Sequence, residues 1–276
     1  MPETAARITS TKNPLVKRIR SLADRANRDA EGRMAIEGVR LVEEALAAGV
    51  RAELLLYDAD AQGEHPRIKD LLQRASALGV RTIETARHVI EAASEVETPQ
   101  GVIAVLEIPR HDLARVLDIP DLLLVIVDRI QDPGNLGTII RVADAAGASA
   151  VAVTRGSVDP HNPKSVRATM GSLFHLPVVE VDAASLAAEL TRRGVRILVA
   201  DQQGALEYTS VSLRRPLALV LGSEAIGADP LWREAAEAVV RIPMYGRAES
   251  LNVAIAGALL LYEARRTRDA RGEGAS

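Results

Sequence analysis

Leu217-Ala-Leu-Val-Leu-Gly-Ser-Glu-Ala-Ile-Gly227 joins an uninterrupted apolar run to a short polar turn bounded by glycines. Such a run is typical of a parallel strand buried on both faces, because a strand with one wet face alternates apolar and polar residues. Gly222, directly after the run, lets a ligand approach the backbone closely. Ligands of open parallel sheets bind at the carboxyl ends of the strands. The stretch therefore predicts a buried strand with a site at its end, although a plain turn before the next helix would look similar.

Two other stretches have the same form and contain the polar residues that a site needs. Asn135-Leu-Gly-Thr-Ile-Ile-Arg141 and Ile242-Pro-Met-Tyr-Gly-Arg-Ala-Glu-Ser-Leu-Asn252 each follow an apolar run. Taken alone, Asn135 or Asn252 could be an ordinary helix cap. Arg141 could be a surface residue of a helix or a charge held at a pocket. All three stretches together, in this order, are hard to explain as caps, and they predict one polar site on an apolar scaffold.

The second half of the chain alternates apolar runs with helical patterns, which indicates an α/β fold on a mostly parallel sheet. The predicted strands are Leu122–Val127, Ala150–Val153, Pro177–Val181, Arg196–Ala200, Leu217–Leu221 and Ala238–Ile242. The predicted helices are Leu136–Ala146, Ser165–Leu173, Ala183–Arg193, Leu231–Ala236 and Leu251–Arg266.

The first half predicts a smaller α/β unit, and a linker from Pro109 to Pro120 follows it. The predicted helices are 13–22, Glu37–Ala48, Ile68–Leu78 and Arg87–Ala93, with a short one at Leu113–Leu117 in the linker. The predicted strands are Leu54–Tyr57, Val80–Ile83 and Gly101–Leu106. We therefore divide the chain into an N-terminal domain (1–108), a linker (109–120) and a C-terminal domain (121–276).

Charge is distributed unevenly along the 276 residues, whose net charge is −3. Residues 1–33 contain eight Lys or Arg and four Asp or Glu, so this arm carries +4 and the remainder −7. A basic arm suits a phosphate backbone. The alternative is a solvated face of a helix.

Composition excludes several classes of site. The chain has no cysteine, which excludes disulfides, thiolate zinc sites, iron–sulfur clusters and a cysteine nucleophile. Only six residues are aromatic, so stacked aromatic platforms are not expected to dominate RNA recognition. A Gly-x-Gly-x-x-Gly loop is absent after the strand ending near Asp128, which argues against a Rossmann dinucleotide site. The N-terminus lacks an apolar signal core and Leu251–Tyr262 is too short to span a bilayer, so we expect a cytoplasmic protein.

The three stretches resemble the SpoU (TrmH) branch of the SPOUT methyltransferases over residues 122–266. The resemblance implies a C-terminal domain with a deep trefoil knot, which is an exception to the rule that chains are unknotted. It also implies a homodimer that holds S-adenosylmethionine in the knot. The implied reaction is transfer of the cofactor's methyl group to a ribose 2′-hydroxyl of ribosomal or transfer RNA.

The family's functional positions can be carried over one by one. The resemblance implies catalytic roles for Arg141, Asn135, Glu224, Ser250 and Asn252. It implies cofactor contacts, made largely through the backbone, for Gly222, Ile242, Met244, Leu251, Leu221 and Asn252. No metal is expected, because the sulfonium already activates the methyl group. Two positions depart from the family pattern: Ser223 replaces the usual Asn, and Ala254 replaces a common Ser. Ser223 keeps a hydrogen-bonding group, so we expect activity.

The first half resembles the substrate-binding domain of the same enzymes, which is similar to an RNA-binding fold of ribosomal proteins. Asn13-Pro-Leu-Val-Lys17 and Glu37-Gly-Val-Arg40 carry this likeness. The segment Asn162-Pro-Lys-Ser-Val-Arg-Ala-Thr-Met-Gly-Ser-Leu-Phe174 also resembles the family and implies that Lys164, Ser165 and Arg167 lie near RNA. The basic arm then has a partner, and we expect ribosomal RNA of the large subunit. The alternatives are a transfer RNA methyltransferase and a non-catalytic RNA-binding protein of the same fold.

The implied chemistry assigns a task to Arg141. A ribose hydroxyl has a high pKa and must lose its proton as it attacks the sulfonium methyl. Arginine stays protonated in proteins, so stabilisation of the developing oxyanion is preferred to a role as the base. The other catalytic positions would orient Arg141 and the ribose.

Overall fold

The computed structural model describes residues 7–64, 66–223 and 226–269. Two compact units are present. The first comprises Met1–Pro109 with His161–Phe174, and the second comprises Arg110–Pro160 with His175–Ser276.

The first unit is a four-stranded sheet with helices. Its elements are α1 (Pro14–Ser21), α2 (Arg25–Glu31), β1 (Arg33–Glu37), α3 (Val39–Ala47), β2 (Ala52–Asp58), α4 (Ala59–Glu64), α5 (Pro66–Ala77), β3 (Arg81–Thr85), α6 (Arg87–Ala93) and β4 (Val102–Glu107). The strand order is β1-β4-β2-β3, with β4 antiparallel to both neighbours and β2 parallel to β3. One face of the sheet buries Val16, Leu56, Val89 and Val105 together.

The second unit contains a seven-stranded sheet. Its elements are α7 (Leu113–Leu117), β5 (Leu123–Asp128), α8 (Pro133–Ala145), β6 (Ala150–Thr154), β7 (Val178–Val181), α10 (Ala183–Arg192), β8 (Arg196–Ala200), β9 (Leu206–Glu207), β10 (Leu217–Gly222), α11 (Pro230–Ala235), β11 (Ala238–Arg241) and α12 (Val253–Asp269); α9 (Pro163–Ala168) belongs to the first unit. The strand order is β7-β6-β5-β10-β8-β11-β9, and all of these pairs are parallel. The mostly parallel α/β sheet predicted from the sequence is confirmed.

The central strands are buried on both faces, as their uninterrupted apolar runs predict. Every residue of β5 and β6 is buried, and β10 is buried up to Leu221. Trp232 of α11 is fully buried against one face, together with Leu124, Ile126 and Val220. Such a sheet offers ligands its strand ends rather than its faces, because both faces are already covered.

The segment His161–Phe174 belongs to the first unit, whereas the division predicted from the sequence assigned it to the C-terminal domain (121–276). Its helix α9 packs on β1 of the first unit. At Gly171 the backbone has φ +104°, and an added Cβ would lie 2.7 Å from the Glu44 Cβ. The predicted helix Ser165–Leu173 is also wrong in its second half, because Met170 and Gly171 both have positive φ and end it. A short 3₁₀ turn at Ser172–Phe174 follows instead.

Most other elements lie within a few residues of the predicted bounds. The predicted helix Glu37–Ala48 corresponds to α3, whose apolar residues Val39, Leu41, Val42, Ala45 and Leu46 are all buried. The sequence missed α2, β1, α4 and β9, which are short. Among the described residues, no helix is both long and apolar enough to cross a membrane.

Candidate active site

A cavity of about 770 Å³ lies in the second unit where β8, β10 and β11 end. This volume falls in the range of pockets that enclose a small molecule or cofactor. Five of the predicted cofactor residues line the cavity: Leu221, Gly222, Ile242, Met244 and Leu251. Ser250, predicted as catalytic, also lines it. The carboxyl edge of the parallel sheet is therefore where the second and third sequence stretches meet.

Gly222 is required by a close backbone crossing at the cavity wall. An added Cβ would lie 2.1 Å from the Ala228 nitrogen and 2.4 Å from the Gly227 carbonyl carbon. No real side chain tolerates such distances, and the obstacle is backbone rather than a movable side chain. The sequence predicted that a ligand approaches this glycine, whereas the atoms that require glycine here belong to Gly227 and Ala228 of the same chain.

A buried carboxylate anchors the far end of this loop. Asp128, only 1% exposed, ends β5. Its Oδ2 accepts a hydrogen bond of 2.8 Å from the Asp229 backbone N–H, and its Oδ1 accepts one of 2.8 Å from the Thr154 hydroxyl. Arg129 completes the cluster, with its guanidinium 3.4 Å from Asp128 and 3.3 Å from Asp229. Sequence reasoning missed this cluster, although a carboxylate directly after an apolar strand was the available signal.

A second ion pair lies in the wall of the cavity. Asp201 follows β8, and its carboxylate is paired with Arg233 of α11. The Asp201 carboxylate also accepts a hydrogen bond of 2.8 Å from the Gln203 N–H. Both charged residues line the cavity, and so do Glu207 and Glu249. Arg241 lines the cavity as well and is paired with Glu207, so Glu249 is the lining carboxylate that has no ion pair among the described residues.

The predicted residues Asn135 and Asn252 meet each other. The Asn252 Nδ2 donates to the Asn135 Oδ1 at 2.9 Å, although 117 residues separate them. Asn252 also caps α12, because its Oδ1 accepts from the Ala254 N–H at 3.0 Å. Asn135 is not the cap of α8, which corrects one sequence interpretation. Asp132 is that cap, and its Oδ1 accepts from the Asn135 N–H at 2.7 Å.

Arg141 lies apart from the cavity lining. It is exposed on α8, where its neighbours Ile139 and Ile140 are buried. It makes no ion pair within the described ranges of the chain. The cavity lining includes neither Arg141 nor Asn135 nor Asn252. Glu224 lies outside the described residues. Five of the six predicted cofactor positions therefore line one cavity, whereas the sixth, Asn252, and the predicted catalytic Arg141 lie outside its lining.

Comparison with known proteins agrees with this geometry. The SpoU rRNA Methylase family profile matches residues 122–262, and an MRM3-like substrate binding domain profile matches residues 13–104. The chain is 37% identical over 259 residues to 23S rRNA (guanosine(2553)-2'-O)-methyltransferase RlmP of Bacillus subtilis (strain 168), covering 94% of this chain and 98% of that protein. It is 34% identical to the 23S rRNA (uridine(2479)-2'-O)-methyltransferase of Streptomyces viridochromogenes, covering 96% of this chain and 93% of the relative.

Solved structures give the same result in three dimensions. The SpoU methyltransferase AviRb from Streptomyces viridochromogenes, in complex with AdoMet, superposes with a TM-score of 0.83 at 34% identity, covering 94% of this chain and 99% of that one. An rRNA methyltransferase from Sinorhizobium meliloti superposes with a TM-score of 0.84 at 33% identity, covering 96% and 99%. The resemblance inferred from the three stretches is confirmed: the chain belongs to the SpoU rRNA Methylase family.

Proposed function

We propose that this protein transfers a methyl group from S-adenosylmethionine to a ribose 2′-hydroxyl of large-subunit ribosomal RNA. The observation that carries the proposal is the cavity at the carboxyl edge of the parallel sheet, lined by the second and third stretches of an SpoU family chain. Relatives that cover most of the chain are named as 23S rRNA 2'-O-methyltransferases. Because the proposed substrate is ribosomal RNA, we propose that the protein acts in the cytoplasm.

The cavity fits S-adenosylmethionine in shape and in charge. Leu221, Ile242 and Leu251 give apolar walls for the adenine, and the backbone on both sides of Gly222 offers hydrogen-bonding groups. The Glu249 carboxylate would complement the positive charge of the sulfonium, whereas Asp201 is already paired with Arg233. The bound cofactor supplies an electrophilic methyl group, so the protein needs only to hold the ribose in line and assist loss of its proton.

The chain's own residues supply the remaining chemistry. Arg141 stays protonated and would stabilise the oxyanion that develops on the ribose oxygen, or hold a neighbouring phosphate. The hydrogen-bonded pair of Asn135 and Asn252 would fix the region where α8 and α12 begin. Ser250 lines the cavity and offers a hydroxyl to the ribose. Glu224 keeps its proposed orienting role.

A homodimer would resolve the separation of Arg141 from the cavity. Helix α12 packs on α8 and exposes Ile255, Leu259 and Tyr262, which share one helix face. Their exposures of 52%, 39% and 53% leave a row of large apolar side chains in solvent. A second copy covering this row would bury it and could bring its own Arg141 toward the first copy's cavity. We therefore propose that the active site is completed by two chains.

The trefoil knot implied by the family belongs to the same proposal. In its support, β10 lies between β5 and β8 although it follows both in the chain.

The decisive experiment is transfer of labelled methyl from S-adenosylmethionine to unmethylated ribosomal and transfer RNA, tested separately. We expect a 2′-O-methyl nucleotide in the 23S RNA. Label confined to transfer RNA would overturn the substrate and keep the reaction. No label and no binding of S-adenosylmethionine would favour a non-catalytic RNA-binding protein.

Arg141→Ala tests the catalytic assignment. We expect a loss of at least about a hundredfold in the rate of methyl transfer, the order seen when a group that stabilises an oxyanion is removed. Binding of S-adenosylmethionine, measured by calorimetry, should stay unchanged, because Arg141 does not line the cavity. A folded Arg141→Ala protein that methylates at the normal rate would remove Arg141 from the mechanism.

A further inference from the structure

A second cavity, of about 220 Å³, lies in the first unit and has no part in the methyl-transfer chemistry proposed above. Every residue that lines it belongs to that unit. Its walls come from α1 and the turn after it, β1, α3, the end of α6, β4 and the distant helix α9. The cavity is smaller than a site for a drug-sized ligand and suits a group about as large as one nucleobase.

The walls of this cavity combine apolar and polar side chains. Ile19, Leu22, Leu41 and Val166 line it, and all four are buried. Unstacked bases in protein–RNA complexes lie against apolar, aromatic or guanidinium surfaces, and this chain has few aromatic residues. Apolar walls beside two arginines would therefore provide the stacking surface that aromatic side chains provide elsewhere.

Two arginines at the cavity are available to an outside partner. Arg20 is exposed and Arg167 is partly exposed, and neither has an ion pair within the described part of the chain. Neighbouring arginines are used differently. Arg18 is paired with Glu31 and Glu53, and the buried Arg28 donates to the Leu22 carbonyl at 2.8 Å. Arg18 and Arg28 are therefore held by other groups of the unit, whereas Arg20 and Arg167 have no ion pair among the described residues.

The two carboxylates at the cavity also differ from each other. Glu37 accepts hydrogen bonds from the Ser94 hydroxyl at 2.8 Å and from the Glu95 N–H at 3.1 Å, so it holds the wall together. The Glu95 side chain is exposed and, among the described residues, has no ion pair. A free carboxylate beside an apolar slot can accept hydrogen bonds from the N–H groups of a base.

We propose that this cavity binds one unstacked nucleotide of the substrate RNA, with its base between the apolar walls, an N–H edge facing Glu95, and the adjoining phosphates on Arg20 and Arg167. The proposal rests on the proposed function, since it names where that RNA is held. In this proposal α9 contributes to RNA binding, because Arg167 lies on this helix.

Two variants test the site: one fills the cavity, and the other removes its two arginines. Ala23 lines the cavity, and Ala23→Phe would fill it without changing charge. Ala77→Phe, at an exposed alanine of α5, is its matched control. The double variant Arg20→Ala/Arg167→Ala removes the phosphate contacts, and Arg74→Ala, exposed on α5, controls for loss of a positive charge. Circular dichroism checks the fold of each variant.

The measurement is filter binding of an unmethylated 23S RNA transcript at fixed salt, with calorimetry of S-adenosylmethionine in parallel. We expect both cavity variants to bind the RNA about tenfold more weakly or worse, with cofactor affinity unchanged. The two controls should bind the RNA like the wild type. Ultraviolet crosslinking should attach a nucleotide to the peptides that contain Arg20 or Arg167.

Two results would overturn the proposal in distinguishable ways. If folded Ala23→Phe and the arginine double variant bind the RNA as tightly as the wild type, the cavity is not a nucleotide site, and the proposed function stands. If the wild type itself neither binds nor methylates the RNA, both proposals fail together.

Discussion

The two cavities of this protein are built in different ways. The cavity of the second unit lies at the ends of parallel strands, and its lining comes from loops that directly follow β8, β10 and β11. The cavity of the first unit is lined from α1, β1, α3, α6, β4 and α9, and the last of these is distant in the sequence. A site at the edge of a parallel sheet takes its position from the topology, whereas the other site depends on how separate segments pack.

The largest effect is expected at Gly222 in the cavity of the second unit, because the backbone of Gly227 and Ala228 lies directly against this glycine. Gly222→Ala places a carbon 2.1 Å from the Ala228 nitrogen, so the loop must move. We expect a loss of at least about 3 kcal/mol in the free energy of unfolding and no measurable cofactor binding. Thermal denaturation and calorimetry measure the two effects.

Gly246→Ala is the control for that substitution, because nothing lies within 4 Å of its added Cβ. Its melting temperature should match the wild type. A Gly222→Ala protein as stable as this control would show that the crossing can relax.

The next effect is expected at Asp128, which anchors the same loop through the Asp229 N–H. Asp128→Asn keeps the shape but removes the charge opposite Arg129 and leaves a buried network with mismatched hydrogen bonds. We expect destabilisation by about 2–4 kcal/mol and at least about tenfold weaker cofactor binding. Asp29→Asn, on the surface of α2, should change stability by less than about 0.5 kcal/mol. Equal effects in the two variants would show that Asp128 does not anchor the loop at the cavity.

A third substitution addresses the exposed row on α12. Leu259→Glu places a charge within the face that we propose a second copy covers. We expect analytical ultracentrifugation to show a monomer, with methyl transfer reduced by at least about tenfold because Arg141 would lose its position. Leu78→Glu makes the same change at an exposed leucine of the first unit and should leave the assembly intact. A dimeric, active Leu259→Glu protein would place the interface elsewhere.

The smallest effect concerns the paired arginines of the first unit. A hydrogen bond from Arg18, with a further contribution from Arg33, lowers the pKa of Glu53 below its ordinary value of 4.5. The stabilisation by Glu53 is therefore present above pH 4.5 and is lost as the pH falls through the lower folded-state pKa. Because these side chains are about one-third exposed, we expect no more than about 1 kcal/mol.

Comparison of Glu53→Gln with the wild type measures how much the ionised Glu53 side chain contributes to the free energy of unfolding. The melting temperatures should differ at neutral pH and converge in acid. Glu91→Gln, exposed on α6, removes a carboxylate that has no ion pair among the described residues and should follow the wild type at all pH values. A constant difference between Glu53→Gln and the wild type down to acid pH would contradict the assignment.

Local patterns in the sequence predicted much of the second unit. Continuous apolar runs predicted its main buried strands, because burial on both faces leaves no position for polar residues. Approach of a ligand at Gly222 stays a prediction, because the atoms that lie close to this glycine belong to the chain itself. The strand β9 was missed because two residues show no pattern. The strand β1 was missed because its alternating residues Met34 and Ile36 do not form the continuous apolar run that marks the five-residue strands β6 and β8.

Other features of the molecule required the tertiary structure. The contact between Asn135 and Asn252 joins residues 117 apart, and no local signal encodes it. The cluster of Asp128, Arg129 and Asp229 likewise depends on β10 lying beside β5. The helix α9 belongs to the first unit, although its position in the sequence had placed it in the C-terminal domain. Packing depends on which surfaces are complementary, and sequence position does not determine this.

By itself, the sequence determined the α/β class, the strand runs and the three stretches that identify the family, because hydrophobic periodicity and short motifs are local properties. Only the tertiary structure decided that the second and third stretches share one cavity, that Arg141 lies outside its lining, and that α9 helps to build a second cavity in the first unit. These are long-range properties, and they are set by which buried surfaces fit each other once the chain is folded.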